Sequence, residues 1–250
     1  RVIALGDAAV MPLAEARLST FLAADRDNNA PDPGEDAGPE AFLSGAVRDL
    51  QGRFNLQNVV GEETGEPDPR QIAALRRLCQ ALGLPDDVAL RLAGGLVAAL
   101  REDDPEAPLL PTRFAQLRWF GVDEAALARL EPHLPLLPQP TPVNITTASR
   151  EVLAAVVPGL DLGGAERIVQ RRARNPYKTP QELAAELGPA LNDALDTLST
   201  GSRYFEVVGR LRLDGRVFEE RSIVERSGER AGEVTTLLRE RRSLAPESLP

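Results

Sequence analysis

The spacing of apolar residues changes several times along the chain and predicts regions of different secondary structure. Near the N-terminus, apolar residues recur every three or four positions, which predicts an amphipathic helix over residues 8–26. The apolar stripe consists of Val10, Leu13, Ala14, Leu18, Phe21 and Leu22. Residues 27–40 are polar and rich in Pro and Gly, which is typical of a flexible loop. One helix and one long loop are therefore expected to open the chain.

A short stretch of β character follows, and then a long helical block. Residues 42–50 lead into residues 51–56, which predict a strand, a turn and a second strand or sheet edge. Beyond residue 69 the period becomes that of short amphipathic helices separated by Gly and Pro. The predicted helices span residues 69–82, 86–101, 112–119, 123–131, 147–157, 161–173, 179–187 and 189–198. A proline-rich linker, 132–142, divides the block in two.

The last part of the chain alternates apolar and polar residues with the period of a β-strand. Two such runs are joined by Asp214-Gly215, the pair preferred in a two-residue type I′ turn, and they predict a hairpin. A third strand is predicted over residues 233–239. The hairpin register sets three pairs opposite each other: Phe205 with Val224, Leu211 with Phe218, and Arg210 with Glu219.

The order of these elements predicts an α+β fold with an inserted helical domain. The early strands need the late ones to bury their apolar face, because a two-stranded sheet is marginal alone. We expect a first region at 1–59, a helical insertion at 60–200, closing strands at 201–242 and a disordered tail at 243–250.

Composition argues against most catalytic and nucleic-acid functions. The formal net charge is −9, and an acidic protein repels phosphate backbones unless it carries a basic patch. A lone His133 and a lone Cys79 cannot build a catalytic triad or a zinc site, and no P-loop, nucleophile-elbow or zinc-protease motif occurs. No run of about 18 apolar residues is present. The chain is therefore either cytosolic or a piece from which a membrane segment is missing.

Three strings of the chain are similar to strings of one known protein family. Residues 49–58, DLQGRFNLQN, are similar to its string D-x-x-G-[RK]-x-N-[LIV]-N, with Gln57 where Asn is usual. Residues 142–148, PVNITTA, are similar to V-N-[IV]-N-T-A, with Thr146 replacing the second Asn. Residues 202–213 are similar to the late strand of the family. The strings occur in family order across nearly the whole chain, which thus resembles the K-type minor pseudopilins of bacterial type II secretion systems.

The residue types in these strings indicate structural roles. Gly52 is expected to supply a tight turn, and Asn55 and Asn58 to bind loop backbone. Asn144 is expected to pin the incoming loop, and Thr147 to cap a helix that begins at Ala148, with Glu151 favourable in its first turn.

The resemblance implies a fold and a function. It implies a pilin-like N-terminal helix packed on a small antiparallel sheet, with an inserted all-α domain of helix-hairpin-helix or SAM-like type. It implies a non-enzymatic subunit that caps the pseudopilus tip and initiates assembly with the I-type and J-type minor pseudopilins, the H-type being a further candidate. The implied location is the periplasm, and the resemblance implies an inner-membrane anchor that precedes this chain in sequence.

The N-terminal stripe is the predicted contact with other pseudopilins. The stripe residues proposed for this contact are Val10, Leu13, Arg17, Leu18 and Phe21. Packing of the same stripe onto the sheet of this chain is an equally open alternative.

The calcium loop of the family is altered here. The candidate ligands Glu102, Asp103, Asp104 and Glu106 offer four carboxylates, but Pro105 limits how they fold back around an ion. The tryptophan of the family's acidic loop is also missing. We therefore expect no high-affinity calcium site and no other cofactor.

Residues 143–188 also resemble a helix-hairpin-helix motif of DNA-uptake receptors, which leaves DNA binding as the alternative function. Arg167, Arg171, Arg172, Arg174 and Lys178 supply positive charge on and after the second helix. However, Asp161 replaces the hairpin glycine and sets a carboxylate where a phosphate would approach. The order of preference is assembly subunit, nucleic-acid module, and hydrolase of unseen type.

Overall fold

The computed structural model describes residues 10–18, 41–61, 65–101, 105–213, 215–226 and 233–244. They fall into two compact units. A sheet unit contains the described residues of 10–49 and 203–250, and a helical unit contains those of 50–202.

Seven strands occur in the described ranges. They are β1 (Val10–Arg17), β2 (Ala41–Asp49), β3 (Val143–Asn144), β4 (Leu198–Ser199), β5 (Tyr204–Leu213), β6 (Arg216–Arg226) and β7 (Val234–Leu244). Five of them form the antiparallel sheet of the sheet unit, in the order β1-β2-β5-β6-β7. The early strands β1 and β2 thus join the late strands β5 to β7 in one sheet, with β2 paired to β5, and the predicted α+β class is confirmed.

The predicted hairpin is present in the predicted register. Phe205 pairs with Val224, Leu211 with Phe218 and Arg210 with Glu219. Gly215 in the turn has a φ of 78°, a left-handed conformation that glycine adopts without steric cost. The third strand is longer than expected, because β7 reaches Leu244 and so includes the first two residues of the predicted tail.

The helix predicted over 8–26 is wrong for residues 10–17, which form β1 and pair with β2. The remaining residues of the predicted helix, apart from Leu18, lie outside the described ranges. Pro12 gives a physical reason. A proline inside a helix costs about 3 kcal/mol, whereas an edge strand tolerates it.

The second strand predicted within 51–56 is also absent, since this segment forms a turn and the start of a 3-10 helix, Leu56–Val59.

Ion pairs tie neighbouring strands of the sheet together. Glu219 on β6 is only 4% exposed and accepts hydrogen bonds from Arg210 at 2.8 Å and from Arg242 at 2.5 Å. Glu206 on β5 is similarly buried and binds Arg48 at 2.8 Å, and also Arg221. Burial alone would raise the pKa of Glu219, but the hydrogen bonds from Arg210 and Arg242 outweigh it and hold the pKa below its usual range. Both glutamates are therefore buried only because arginines on adjacent strands compensate their charge.

Six α-helices and three 3-10 helices build the described part of the helical unit. The α-helices are α1 (Pro69–Ala81), α2 (Asp86–Ala99), α3 (Glu124–Leu130), α4 (Arg150–Val156), α5 (Leu162–Arg172) and α6 (Pro180–Leu187). The segments predicted as helices at 112–119 and 189–198 are 3-10 helices, Phe114–Phe120 and Pro189–Thr197. The insertion is not entirely helical, because β3 and β4 pair in parallel within it.

A continuous hydrophobic core fills the helical unit, with α1 packed against both α2 and α4. Cys79 on α1 is fully buried in that core, and burial raises the pKa of its thiol to about 11. The cysteine is therefore a core residue. Among the described residues, no helix has the length and apolarity needed to cross a membrane.

Candidate functional site

Asn55 of the first family string holds the proline-rich linker by its side chain. The residue is 0% exposed. Its Nδ2 donates to the carbonyl oxygen of Gln139 at 2.7 Å and to Oγ1 of Thr141 at 3.3 Å. Its Oδ1 accepts from the backbone N–H of Leu137 at 3.1 Å and of Gln57 at 3.2 Å. One buried amide thus serves backbone groups that are more than 80 residues apart in sequence.

Asn58 holds the linker in a similar way, at Thr141, near the end of the linker. Its Nδ2 donates to the carbonyl oxygen of Thr141 at 2.9 Å, and its Oδ1 accepts from the backbone N–H of Thr141 at 2.8 Å. Two backbone bonds extend the contact, from Phe54 N–H to the His133 carbonyl and from Leu56 N–H to the Pro135 carbonyl. Prolines have no N–H to donate, so the linker has few donors of its own for its carbonyl oxygens. Those carbonyls therefore depend on donors from the first string. The ordered path of the linker is thus set by the first string.

Asn144 of the second string organises its own turn. Its Oδ1 accepts from both the backbone N–H and Oγ1 of Thr146, at 3.0 and 2.8 Å, and its Nδ2 donates to Oγ of Ser202 at 2.9 Å. Its backbone N–H donates to the carbonyl of Gln51 at 2.7 Å. This last bond joins the second string to the first.

Gly52 and Thr147 mark a second point where the two strings approach each other closely. A Cβ on Gly52 would lie 2.6 Å from Oγ1 of Thr147 and 3.0 Å from its carbonyl carbon. Gly52 is not among the described glycines with positive φ. The position thus excludes a side chain because of close approach, and the conformational reason expected from its turn does not apply.

The predicted N-cap at Thr147 is wrong. Helix α4 begins at Arg150, and its N-cap is Ser149, whose Oγ accepts from the N–H of Val152 at 3.3 Å. Thr147 is instead part of the turn, where its Oγ1 donates to the carbonyl of Asn144 at 3.4 Å. Ser and Thr are both good N-caps, so composition alone does not separate the two positions. Glu151 does lie in the first turn of α4, as expected.

His133 joins the linker to the start of α4, a role that its sequence context did not indicate. Its Nδ1 lies 3.2 Å from Oγ of Ser149, the cap of α4. Burial lowers the pKa of His133; the carboxylate of Glu151 opposes this shift and the guanidinium of Arg53 adds to it. The neutral imidazole is therefore the form that the folded protein favours.

We expect the stability of the protein to fall as the pH is lowered through about 6.5, the ordinary pKa of histidine. Because the folded state holds the pKa of His133 lower, the unfolded chain binds the proton first. The stability contributed by the neutral imidazole is thus fully present above about pH 6.5 and is lost progressively as the pH falls to the pKa that His133 has in the folded state. Thermal unfolding between pH 7.5 and 5.5 measures the effect.

The matched control for this prediction is His133→Gln. His133 is the only histidine in the chain, so the variant removes the imidazole titration and leaves all carboxylates in place. A pH slope that is equally steep in the variant contradicts the assignment to His133.

The predicted N-terminal stripe does not form in the described residues. Val10 and Leu13 lie on β1, where an odd separation puts them on opposite faces of the sheet, and they are 44% and 45% exposed. Arg17 lies 5.8 Å from the ring centre of Phe42, and Leu18 is half-buried. Phe21 lies outside the described residues.

Of the four candidate calcium ligands, one lies within the described residues: Glu106, which is exposed. The other three, Glu102, Asp103 and Asp104, lie outside the described residues. In the ranges that the structure describes, no three His, Cys, Asp or Glu side chains converge as metal ligands.

The helix-hairpin-helix segment uses its key residues internally. Asp161 caps α5, with its Oδ1 accepting from the N–H of Gly164 at 2.6 Å. Arg172 is buried and donates to the Ile145 carbonyl, while Arg171 binds Glu186 at 3.0 Å. A phosphate at this hairpin would meet a capping carboxylate and would have to compete for Arg171, so the geometry disfavours DNA binding.

Comparison with known proteins identifies the family. Models described as type II secretion system (T2SS), protein K match residues 52–139 and 143–201, which together are more than half of the chain. The chain is 29% identical over 193 residues to type II secretion system protein K of Pseudomonas aeruginosa. That match covers 68% of this chain and 56% of the relative, so the chain spans little more than half of the relative's length. The chain belongs to the type II secretion system protein K family.

The fold also matches a solved structure. One chain in the crystal structure of the GspK-GspI-GspJ complex, from the Type 2 Secretion System of enterotoxigenic Escherichia coli, superposes with a TM-score of 0.64 and 19% identity. The match covers 85% of this chain and 84% of that one. At this identity the likeness establishes the shared fold.

Proposed function

We propose that this chain is the periplasmic part of a minor pseudopilin, which caps the pseudopilus tip and assembles with I-type and J-type minor pseudopilins. The observation that carries the proposal is family membership: both halves of the helical unit match protein K models. The similar fold occurs in a protein crystallised with GspI and GspJ. The proposed role of this chain is to prime pseudopilus assembly for protein export.

The buried positions of the family strings support a role in assembly and not in catalysis. Asn55, Asn58 and Asn144 use their amides to hold the backbone of the helical unit, and all three are at most 8% exposed. In this proposal, the strings stabilise the framework, and the surface that the framework presents makes the contacts with other subunits.

The exposed part of β1 remains our candidate contact with the other pseudopilins. Val10 and Leu13 keep nearly half of their surface in solvent, on opposite faces of this edge strand, and Arg17 is exposed at the other end of β1. Leu18 and Phe21 complete the proposed contact along the chain. The H-type subunit is a further candidate partner, and an upstream helix anchors the protein in the inner membrane in this proposal.

The test is light scattering on a sizing column, with this chain mixed with the I-type and J-type domains of the same system. A one-to-one-to-one complex is the expected result. The double variant Val10→Asp/Leu13→Asp should weaken it, whereas Leu90→Asp, at a 53% exposed site of the helical unit, should not. Three separate peaks at micromolar concentrations contradict the proposed function.

A loss of the complex in the Leu90 variant as well would contradict the β1 contact. Mixing with short duplex DNA at near-physiological salt tests the alternative function. No shift of the duplex is expected.

A further inference from the structure

The two ends of the five-stranded sheet differ in how they are protected. β1 at one end has eight residues, contains Pro12 and is interrupted by a register shift after Leu13. A proline removes a donor and an irregularity twists the edge, and both discourage pairing with another chain. β7 at the other end of the described sheet has eleven residues and no proline, and its one register irregularity lies near its start. It is the edge better suited to accept a further strand.

The second half of β7, residues 239–244, carries three arginines in ion pairs, with Arg239 and Arg241 on one face of the sheet and Arg242 on the other. Arg241 binds Glu220 at 2.5 Å, Arg239 binds the same carboxylate at 3.4 Å, and Arg242 binds Glu219 at 2.5 Å. The three arginine side chains remain 53% to 74% exposed. A guanidinium has five donors in a fixed fork, so each arginine can hold its glutamate and still bind a second carboxylate. The ion pairs also lower the entropy cost of binding, because the side chains are already ordered.

The first half of β7, residues 234–238, exposes two apolar side chains beside Thr235 and Thr236. Val234 is 54% exposed and Leu237 is 41% exposed. A strand that fits the whole edge therefore carries apolar residues at one end and acidic residues at the other.

A second copy of this chain matches the charges of this edge less well than an acidic strand does. In an antiparallel self-pair centred on Glu240, Arg239 of each copy would face Arg241 of the other, and a pair centred on Arg241 would set the two Arg241 side chains against each other. Like charges directly opposite each other destabilise a pair of strands. A strand with carboxylates opposite Arg239 and Arg241 brings no such contact, so the charge pattern favours an acidic segment of a different polypeptide.

We propose that β7 binds an extended acidic segment of another protein, which adds to the sheet as a further antiparallel strand. Main-chain hydrogen bonds supply the affinity, and carboxylates opposite Arg239 and Arg241 supply the specificity. The surface lies on β7 and does not involve the proposed β1 contact, so either proposal can fail without the other.

The test uses fluorescence anisotropy with a labelled peptide of about ten residues that alternates Glu with Val or Thr. Its control is the same peptide with Lys in place of Glu. At low salt we expect the Glu peptide to bind the full chain about tenfold more tightly than the Lys peptide. Hydrogen exchange should then show new protection of amides in residues 234–244.

Two charge variants locate the effect. Arg241→Glu should weaken the Glu peptide about tenfold, whereas Arg174→Glu, the same change at an exposed site of the helical unit, should leave its affinity unchanged. Equal affinity for both peptides, equal loss in both variants, or binding without new amide protection would each overturn strand addition at β7. Absence of binding by the Glu peptide overturns it as well.

Discussion

Gly52→Ala is expected to lower the free energy of unfolding by about 1–3 kcal/mol, as overpacking of a filled site does. The new Cβ would lie 2.6 Å from Oγ1 and 3.0 Å from the carbonyl carbon of Thr147. Backbone hydrogen bonds from the Thr147 and Ala148 N–H groups to the Asn144 carbonyl hold this turn in place, so it cannot move away freely. Urea denaturation followed by the fluorescence of Trp119, the chain's one tryptophan, reports on the helical unit.

The same chemical change at Gly94 is the matched control, and its expected sign is opposite. Gly94 is an exposed interior residue of α2, and no atom lies within 4 Å of a Cβ built there. Gly94→Ala should therefore stabilise the protein by about 0.5–1 kcal/mol through helix propensity. If both variants are stabilised, the Gly52–Thr147 approach is not a constraint on the fold.

Asn55→Ala is expected to have the largest effect, a loss of about 3–5 kcal/mol in the free energy of unfolding. The substitution removes the hydrogen bonds of Asn55 with the buried N–H of Leu137 and with the carbonyl of Gln139, and it opens a cavity beside them. The control is Gln57→Ala, two residues further along the chain at a partly exposed position. It should change the free energy of unfolding by less than about 0.5 kcal/mol. The same urea experiment measures both.

A second readout separates a local effect from general loss of stability. In Asn55→Ala, proteolysis under native conditions should cut first within residues 132–142, because that linker loses the amide that anchors it. Equal resistance of the linker in the two variants would show that the remaining bonds, such as those of Asn58, suffice to hold it.

Elements with a strong local period were predictable. The hairpin of β5 and β6 follows from strand alternation around Asp214-Gly215, and both apolar pairs and the Arg210–Glu219 pair lie in the predicted register. Helices α1 and α2 begin at the predicted residues, since Asp68 and Pro85 mark their starts. The information for these elements lies within a few residues.

The candidate site was predictable in its residue types but not in its connections. Asparagine in a loop indicates a bond to backbone, yet nothing in the first string names Gln139 or Thr141 as the partner of Asn55. The choice of Ser149 over Thr147 as helix cap likewise depends on which hydroxyl the turn around Asn144 occupies. Both outcomes depend on residues brought together by the fold.

Local spacing and composition were enough to predict most helices of the insertion, the hairpin register, the α+β class and the family strings. Three features follow from the fold and not from local pattern: residues 10–17 pair as a strand, Thr147 occupies the space that a side chain at position 52 would need, and Glu219 is buried between two arginines. Each of these depends on a contact between distant parts of the chain, and its free energy exists only after the backbone has brought the partners together.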